Sequence, residues 1–267
     1  MQQIGPAHQR VRRAVDLLHN TRPNPGRLFL AEGLWAHNAL LESGTHIDTF
    51  FWCPEAAYSD EAKLRAQQVA ERAVDTFEVS ERTLAKMTER DKPDGLLSIA
   101  QLPVWEPDGL PLEAGALVVV ADGMEIPGNL GTLIRSMDAV AADALLLVNR
   151  RTRLTHPKVF RASHGMVLTI PTLEFDSVEA TAAWLEDNGF SVLLADSSEG
   201  MAPNYRDVTY ADRTAIVLGN ERYGLSREWA GVRARPVTLP MRGRADSLNV
   251  AIAAAVLMFE ARSQMGS

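Results

Sequence analysis

The sequence predicts an α/β protein in two parts, a small α/β unit followed by a larger one built on an open parallel sheet. Three observations predict this. Short continuous apolar runs, LVVVAD at 117–122, ALLLV at 144–148 and TAIVLG at 214–219, read as strands covered on both faces, as in parallel sheets. Amphipathic stretches of helical length separate them, so strands alternate with helices. Between the parts lies QLPVWEPDGLPLEAGA, residues 101–116, where Pro103, Pro107 and Pro111 suit a linker better than a helix or a central strand. The expected division is residues 1–103, a linker at 104–115, and 116–267.

In chain order, residues 8–20 carry Val11, Val15 and Leu18 on one face and predict a helix. A strand is expected at 27–31, a helix at 33–41, and an aromatic-rich strand at 47–52. A helix at 60–73 and a short strand at 76–79 follow. Ser80 can cap a helix through Met87, and 96–100 closes this small unit. After the linker and the strand at 117–122 comes a Gly/Pro loop and a helix at about 130–140. The strand 144–148 precedes a helix near 157–163, with Pro157 suited to a first helical turn. Ser177 caps 178–188, and Gly189 stands where a helix end favours glycine. Strands are expected at 191–196, 214–219 and 236–241. The apolar stretch 250–259 predicts a final helix buried all round.

Composition narrows the class. With 267 residues, 46% hydrophobic and 23% charged, the chain can bury a sizeable core. No apolar run reaches the ~20 residues that span a bilayer, and MQQIGPAHQRVRR lacks the apolar core of a signal peptide. Cys53 is the only cysteine, which excludes a disulfide framework and a thiolate metal cage. A cytoplasmic protein is expected. The net charge of −7 argues against a basic coat, but the arginines are clustered. Residues 1–30 hold Arg10, Arg12, Arg13, Arg22 and Arg27 against Asp16; residues 144–173 hold no carboxylate but include Arg150, Arg151, Arg153, Lys158 and Arg161; and 222–244 hold six arginines and Glu228. Such islands are a footprint for phosphates or a set of solvated surface charges.

Three loops after strands stand out: DGMEIPGNLGTLIR at 122–135, LGNERYGLS at 218–226 and LPMRGRADSLN at 239–249. Ligands of open parallel sheets bind beyond the carboxyl ends of the strands, and loops rich in Gly, Asn, Arg and Glu suit a polar ligand gripped closely. Turns alone would account for Gly123, Gly128 and Gly131, and capping alone for Asn129 or Ser247. The glycines form neither a dinucleotide fingerprint nor a P-loop. No G-x-S-x-G elbow or H-E-x-x-H pair occurs, and the six histidines show no ligand spacing. No metal is expected.

The segments IPGNLGTLIRS, IVLGNERYGLS and LPMRGRADSLNVAIAAA resemble the three signature motifs of the SpoU (TrmH-type) RNA methyltransferases of the SPOUT superfamily, in order and over residues 117 to the C-terminus. FRASHG at 160–165 resembles a further segment of that family. FLAEGLWAHNALLESG at 29–44, with VSERTLAKM and DGLLSIA, is similar to the family's ribosomal-protein-like RNA-binding domain.

The resemblance implies a SPOUT domain with a deep trefoil knot, acting as a homodimer with its site at the subunit interface. It implies transfer of a methyl group from S-adenosyl-L-methionine to an RNA ribose 2′-hydroxyl. By motif, Leu218, Gly219, Leu239, Met241 and Leu248 would hold the cofactor. Arg135 would be essential to catalysis, as a base or as an orienting cation, oriented by Asn129, with Glu221 holding the network or a dimer contact and Ser247 and Asn249 lining the reaction site. Arg161, Arg10 and Arg27 are candidate RNA contacts. The full N-terminal domain and the absence of a basic C-terminal extension favour ribosomal over transfer RNA. A transfer-RNA enzyme and a non-catalytic RNA-binding protein of the same fold are the alternatives, and a small-molecule nucleotide enzyme is a more distant one.

Overall fold

Two sheets organise the chain. The computed structural model describes residues 1–195 and 202–265, and the chain divides into two units, Met1–Pro103 with Leu154–Thr169, and Val104–Arg153 with Ile170–Ser267. The expected strand at 191–196 ends on Asp196, which lies outside the described residues. The segment Leu154–Thr169, expected with the second part, clusters with the first unit instead.

The first unit runs through β1 (Gln2–Gln3), α1 (Gln9–Leu18), β2 (Leu28–Glu32), α2 (Leu34–Ser43), β3 (Ile47–Trp52), α3 (Asp60–Arg72), β4 (Asp75–Glu78), α4 (Glu81–Leu84) and β5 (Leu96–Gln101). Its sheet has the order β1-β4-β3-β5-β2, with β5 antiparallel to both β2 and β3 and the other pairs parallel. Val11, Ala14 and Leu17 turn one face of α1 into the core beside Leu30, Phe51, Leu97 and Ile99. Ser59 starts α3 by accepting a hydrogen bond from Ala62 N at 3.1 Å.

The second unit opens with β6 (Leu117–Asp122), α5 (Pro127–Ala139) and β7 (Ala144–Val148). The chain then enters the first unit for α6 (Pro157–Ala162) and rejoins the second with β8 (Thr172–Glu174), α7 (Val178–Asp187), β9 (Ser191–Ala195), β10 (Thr214–Leu218), β11 (Ala234–Val237) and α8 (Val250–Met265). All pairs of this sheet are parallel, in the order β11-β9-β10-β6-β7-β8. Its central strands are buried along their whole length, as their uninterrupted apolar sequence requires. The expected strand at 236–241 is instead Ala234–Val237, an edge strand whose mid-positions are exposed.

The segment Leu154–Thr169 joins the first unit through aromatic contacts. Phe160 lies 4.8 Å from Phe29 between ring centroids, and the Trp35 ring stacks on Phe160 at 5.3 Å and on His164 at 4.7 Å. Gly165 sits at φ +86°, where a Cβ would come within 2.8 Å of Ala39 Cβ.

Helix α8 is not buried all round. Ala251, Ala254, Leu257, Met258 and Ala261 face α5 and the sheet, whereas Ile252 and Phe259 are 54% and 57% exposed. Near its end, Arg262 donates to Val140 O (2.8 Å), Gly115 O (2.5 Å) and Asp143 (3.1 Å), tying α8 to the loops at the amino ends of β6 and β7.

Candidate active site

The carboxyl ends of three neighbouring strands, Ala195 of β9, Leu218 of β10 and Val237 of β11, open into one cleft of about 580 Å³. Its place follows from the parallel sheet, whose strand ends all point to one edge and leave room for loops there. Leu218, Gly219, Leu239, Met241 and Leu248 line it, as do Asn129, Glu221, Ser247 and Asn249. The volume lies within the roughly 300–1,000 Å³ of small-molecule sites. Leucine and methionine side chains, together with amides, a hydroxyl and a carboxylate, fit a ligand that has an apolar aromatic part and a charged amino-acid part.

A chain of hydrogen bonds ties the three loops together. Asn249 Nδ2 donates to Asn129 Oδ1 at 3.0 Å, and Asn129 Nδ2 donates to Glu221 Oε1 at 3.0 Å. The Glu221 carboxylate also accepts from Glu125 N at 3.0 Å and Ile126 N at 3.1 Å, just before α5. A carboxylate at a helix start satisfies amides that the helix cannot and meets the positive end of its dipole. Burial alone would raise the Glu221 carboxyl, but the bonds from Glu125 N, the Asn129 amide, its own backbone and Ile126 N hold it below the usual carboxylate range.

Asn249, not Ser247, caps α8. Its Oδ1 accepts from Ala251 N at 3.0 Å and Ile252 N at 3.4 Å, while Ser247 Oγ donates to Asp246 at 3.3 Å. One asparagine therefore starts the helix with its oxygen and holds the site with its nitrogen. Gly219 has a steric reason of its own, because a Cβ there would run into the backbone of Gly224 and Leu225.

Arg135 is placed apart from this network. It is exposed on α5 and does not line the cleft, and no hydrogen bond or ion pair engages it among the described residues. The expected contact with Asn129 is not made; that amide bonds Glu221 and Asn249 instead.

The candidate RNA contacts are largely used within the first unit. Arg10 donates to Asp48 at 3.0 Å and also pairs with Asp75, joining α1 to β3 and β4. Arg27 is half-buried at φ +51°, and burial lowers its pKa. Arg161 pairs with Glu89 at 3.1 Å.

Asp246 and Asn220 are among the cleft residues that the sequence reading did not single out. Asp246 lines the cleft beside Ser247. Asn220 donates to Gly123 O at 2.7 Å, joining the loops after β6 and β10, and its place between Gly219 and Glu221 was the available signal. Among the described residues no group of three or more His, Cys, Asp or Glu could hold a metal ion, and no helix is long and apolar enough to cross a membrane.

Comparison with known proteins gives a consistent picture. Residues 116–259 match the SpoU rRNA Methylase family, and residues 9–98 match an MRM3-like substrate binding domain. A 23S rRNA (uridine(2479)-2′-O)-methyltransferase of Streptomyces viridochromogenes is 28% identical, over 92% of this chain and 85% of its own length. The AdoMet-bound rRNA methyltransferase of Sinorhizobium meliloti superposes with a TM-score of 0.87 at 28% identity, covering 100% of this chain and 99% of that one. The SpoU methyltransferase AviRb of Streptomyces viridochromogenes, in complex with AdoMet, superposes with a TM-score of 0.81 at 26% identity, covering 95% and 97%.

Proposed function

The chain belongs to the SpoU rRNA Methylase family, and on that premise we propose that it methylates a ribose 2′-hydroxyl of ribosomal RNA, using S-adenosyl-L-methionine bound in the cleft at the ends of β9, β10 and β11. The relay Asn249–Asn129–Glu221 carries this reading, because it joins all three motif loops around that one cleft. When bound, S-adenosyl-L-methionine supplies an electrophilic methyl group on a sulfonium sulfur. Main chain and side chains of Leu218, Gly219, Leu239, Met241 and Leu248 enclose it, while Ser247 and Asn249 face the reaction site.

The 2′-hydroxyl must be aligned with that methyl and must lose one proton. Arg135 is the essential residue for this step. A guanidinium keeps its charge in proteins and carries donors but no acceptor, which suits a cation's role better than a base's. As a cation it would fix phosphate and hydroxyl geometry, while the ribose O–C bond would form as the methyl's C–S bond breaks and the hydroxyl proton would leave to water.

An exposed Arg135 outside the cleft fits a site completed by a second copy of the chain. The uncovered apolar side chains Ile252 and Phe259 on α8, with Ile126 and Leu248 near the cleft, support a homodimer formed by this face. The knot belongs to the same reading. It is supported by the course of the chain, in which β11 lies at the sheet edge while α8 returns to α5, β10 and β6. The first unit would hold the RNA, and the enzyme would work in the cytoplasm.

The test is methyl transfer from labelled S-adenosyl-L-methionine into separate pools of ribosomal and transfer RNA. Label in ribosomal RNA is expected. Label confined to transfer RNA would overturn the substrate, and absence of cofactor binding would overturn the enzyme.

A further inference from the structure

Across the Asn220–Gly224 turn from the cofactor cleft lies a second, polar cleft of about 500 Å³, which shares Asn220 and Gly224 with the first. Asn149, Arg150, Arg151, Tyr223, Ser226 and Glu228 line it. We propose that it binds a nucleobase of the substrate RNA next to the nucleotide that is methylated. The inference rests on the reading of the chain as an RNA methyltransferase.

Its floor is already satisfied and rigid. The buried Asp122 accepts from Asn149 Nδ2 (2.8 Å), Ser226 N (2.8 Å) and Trp229 Nε1 (3.1 Å). A ligand here meets no unpaired buried charge, so its recognition falls to the rim.

The rim carries Tyr223, 69% exposed, with the Arg222 guanidinium carbon 5.4 Å from the ring centroid. The turn beneath it is held by four hydrogen bonds. Asn220 N donates to Gly224 O at 2.8 Å, Gly224 N donates back to Asn220 O at 2.9 Å, and Asn220 Oδ1 accepts from Arg222 N (2.9 Å) and Tyr223 N (3.0 Å). The aromatic ring is thus presented on a fixed backbone, so little further ordering is needed to bind. An unstacked RNA base stacks on such a ring, and an adjacent guanidinium adds to the same surface.

Charge supports the same occupant. Arg150 pairs with Glu174, and Arg151 with Glu125 at 3.6 Å, but both pairs lie at the surface. Exposed pairs are weak, and their guanidinium groups can turn to a phosphate or a base edge. Glu228 adds an acceptor for an exocyclic amino group. The shared turn places this cleft one short step from the cofactor, as suits the base beside the target nucleotide.

The test uses the full chain with the ribosomal RNA fragment that it methylates, comparing wild type with Tyr223→Ala and Tyr223→Phe. Tyr223→Ala should raise KM for RNA on the order of tenfold. Tyr223→Phe should stay within about twofold, since a phenyl ring stacks as well, and both should bind S-adenosyl-L-methionine as wild type does. An RNA made abasic at the neighbouring nucleotide should raise the wild-type KM equally, and Tyr223→Ala should then add nothing. An unchanged KM in Tyr223→Ala overturns the subsite, as does equal damage from Tyr223→Phe or undiminished damage on every abasic RNA. Wild-type protein that methylates no RNA overturns the parent reading first and this subsite with it.

Discussion

Two arginine-rich stretches, residues 10–27 and 222–244, look alike in the sequence and differ in the structure. In the first, Arg10 is held by Asp48 and Asp75, Arg13 by Asn24 at 3.1 Å and Arg22 by Asp16 at 3.2 Å, while Arg27 is half-buried. Arg12 alone of that group is exposed without a partner among the described residues. In the second, Arg227, Arg233, Arg242 and Arg244 are exposed and without partners among the described residues, Arg222 lies over Tyr223, and only Arg235 bonds to neighbours, Thr209 O at 2.8 Å and Ser191 Oγ at 3.3 Å. Charge along a chain is therefore not charge available to RNA. The first stretch ties its guanidinium groups to neighbouring residues, and the second leaves most of them exposed to solvent.

Arg135→Ala should give the largest effect. It removes an exposed cation that none of the described residues pairs with, so methyl transfer should fall by about 10²–10³-fold while Tm and cofactor affinity hold. A fall in Tm would place Arg135 with the structural arginines instead.

The next contrast is in pH. Burial lowers the His37 pKa to about 4, outweighing the opposing hydrogen bond to Gly33 O at 2.8 Å, while Ser98 Oγ lies 2.9 Å from the other ring nitrogen. The unfolded chain then binds the proton that the folded one refuses. Stability present above pH 6.5 is lost as pH falls from 6.5 towards 4, by ~3 kcal/mol at most. Glu221 has the opposite charge type and a lowered pKa, so its contribution is full above the ordinary carboxylate value and lost only as pH falls below it. Denaturant titrations from pH 7 to 4 should show the loss in wild type and a flatter profile in His37→Gln.

Glu221→Ala should cost about 1–3 kcal/mol, since Glu125 N, Ile126 N and the Asn129 amide all lose their acceptor. Weaker cofactor binding should accompany it, read by calorimetry. A smaller difference separates the arginine stretches themselves. Arg242→Ala with Arg244→Ala should reduce the salt dependence of RNA binding by roughly one to two phosphate contacts. Arg10→Ala should leave that slope unchanged and cost ~1 kcal/mol of stability, in keeping with a half-exposed pair. The reverse pattern would break the comparison.

The fold was legible wherever burial left a pattern. The central strands announce themselves as apolar runs, and Ser177 marks the helix that it caps, whereas Ser80 precedes a single short turn, Glu81–Leu84, without a side-chain cap bond. Edges were not legible. β1 is two exposed glutamines, β8 has three residues, and β11 begins Ala-Arg-Pro, so pairing with a neighbour defines them and no side-chain pattern does. The apolar α8 read as buried because composition cannot distinguish a helix buried all round from one buried on a single face. In the site, the motifs placed nine residues on one cleft, but the capping role fell to Asn249 although Ser247 was equally able to cap. Nothing local to Leu154–Thr169 foretold its place in the first unit, which depends on Trp35 and Phe29, more than a hundred residues earlier.

The central claim, ribose methylation of ribosomal RNA at the cleft of the second unit, is tested most directly by mapping alkali resistance along ribosomal RNA after incubation with S-adenosyl-L-methionine and the wild-type protein or Arg135→Ala. One phosphodiester newly resistant to alkali with wild type, and cleaved normally with Arg135→Ala, is the predicted result. Methyl label in ribosomal RNA without any alkali-resistant position would place the methyl on a base and contradict the account.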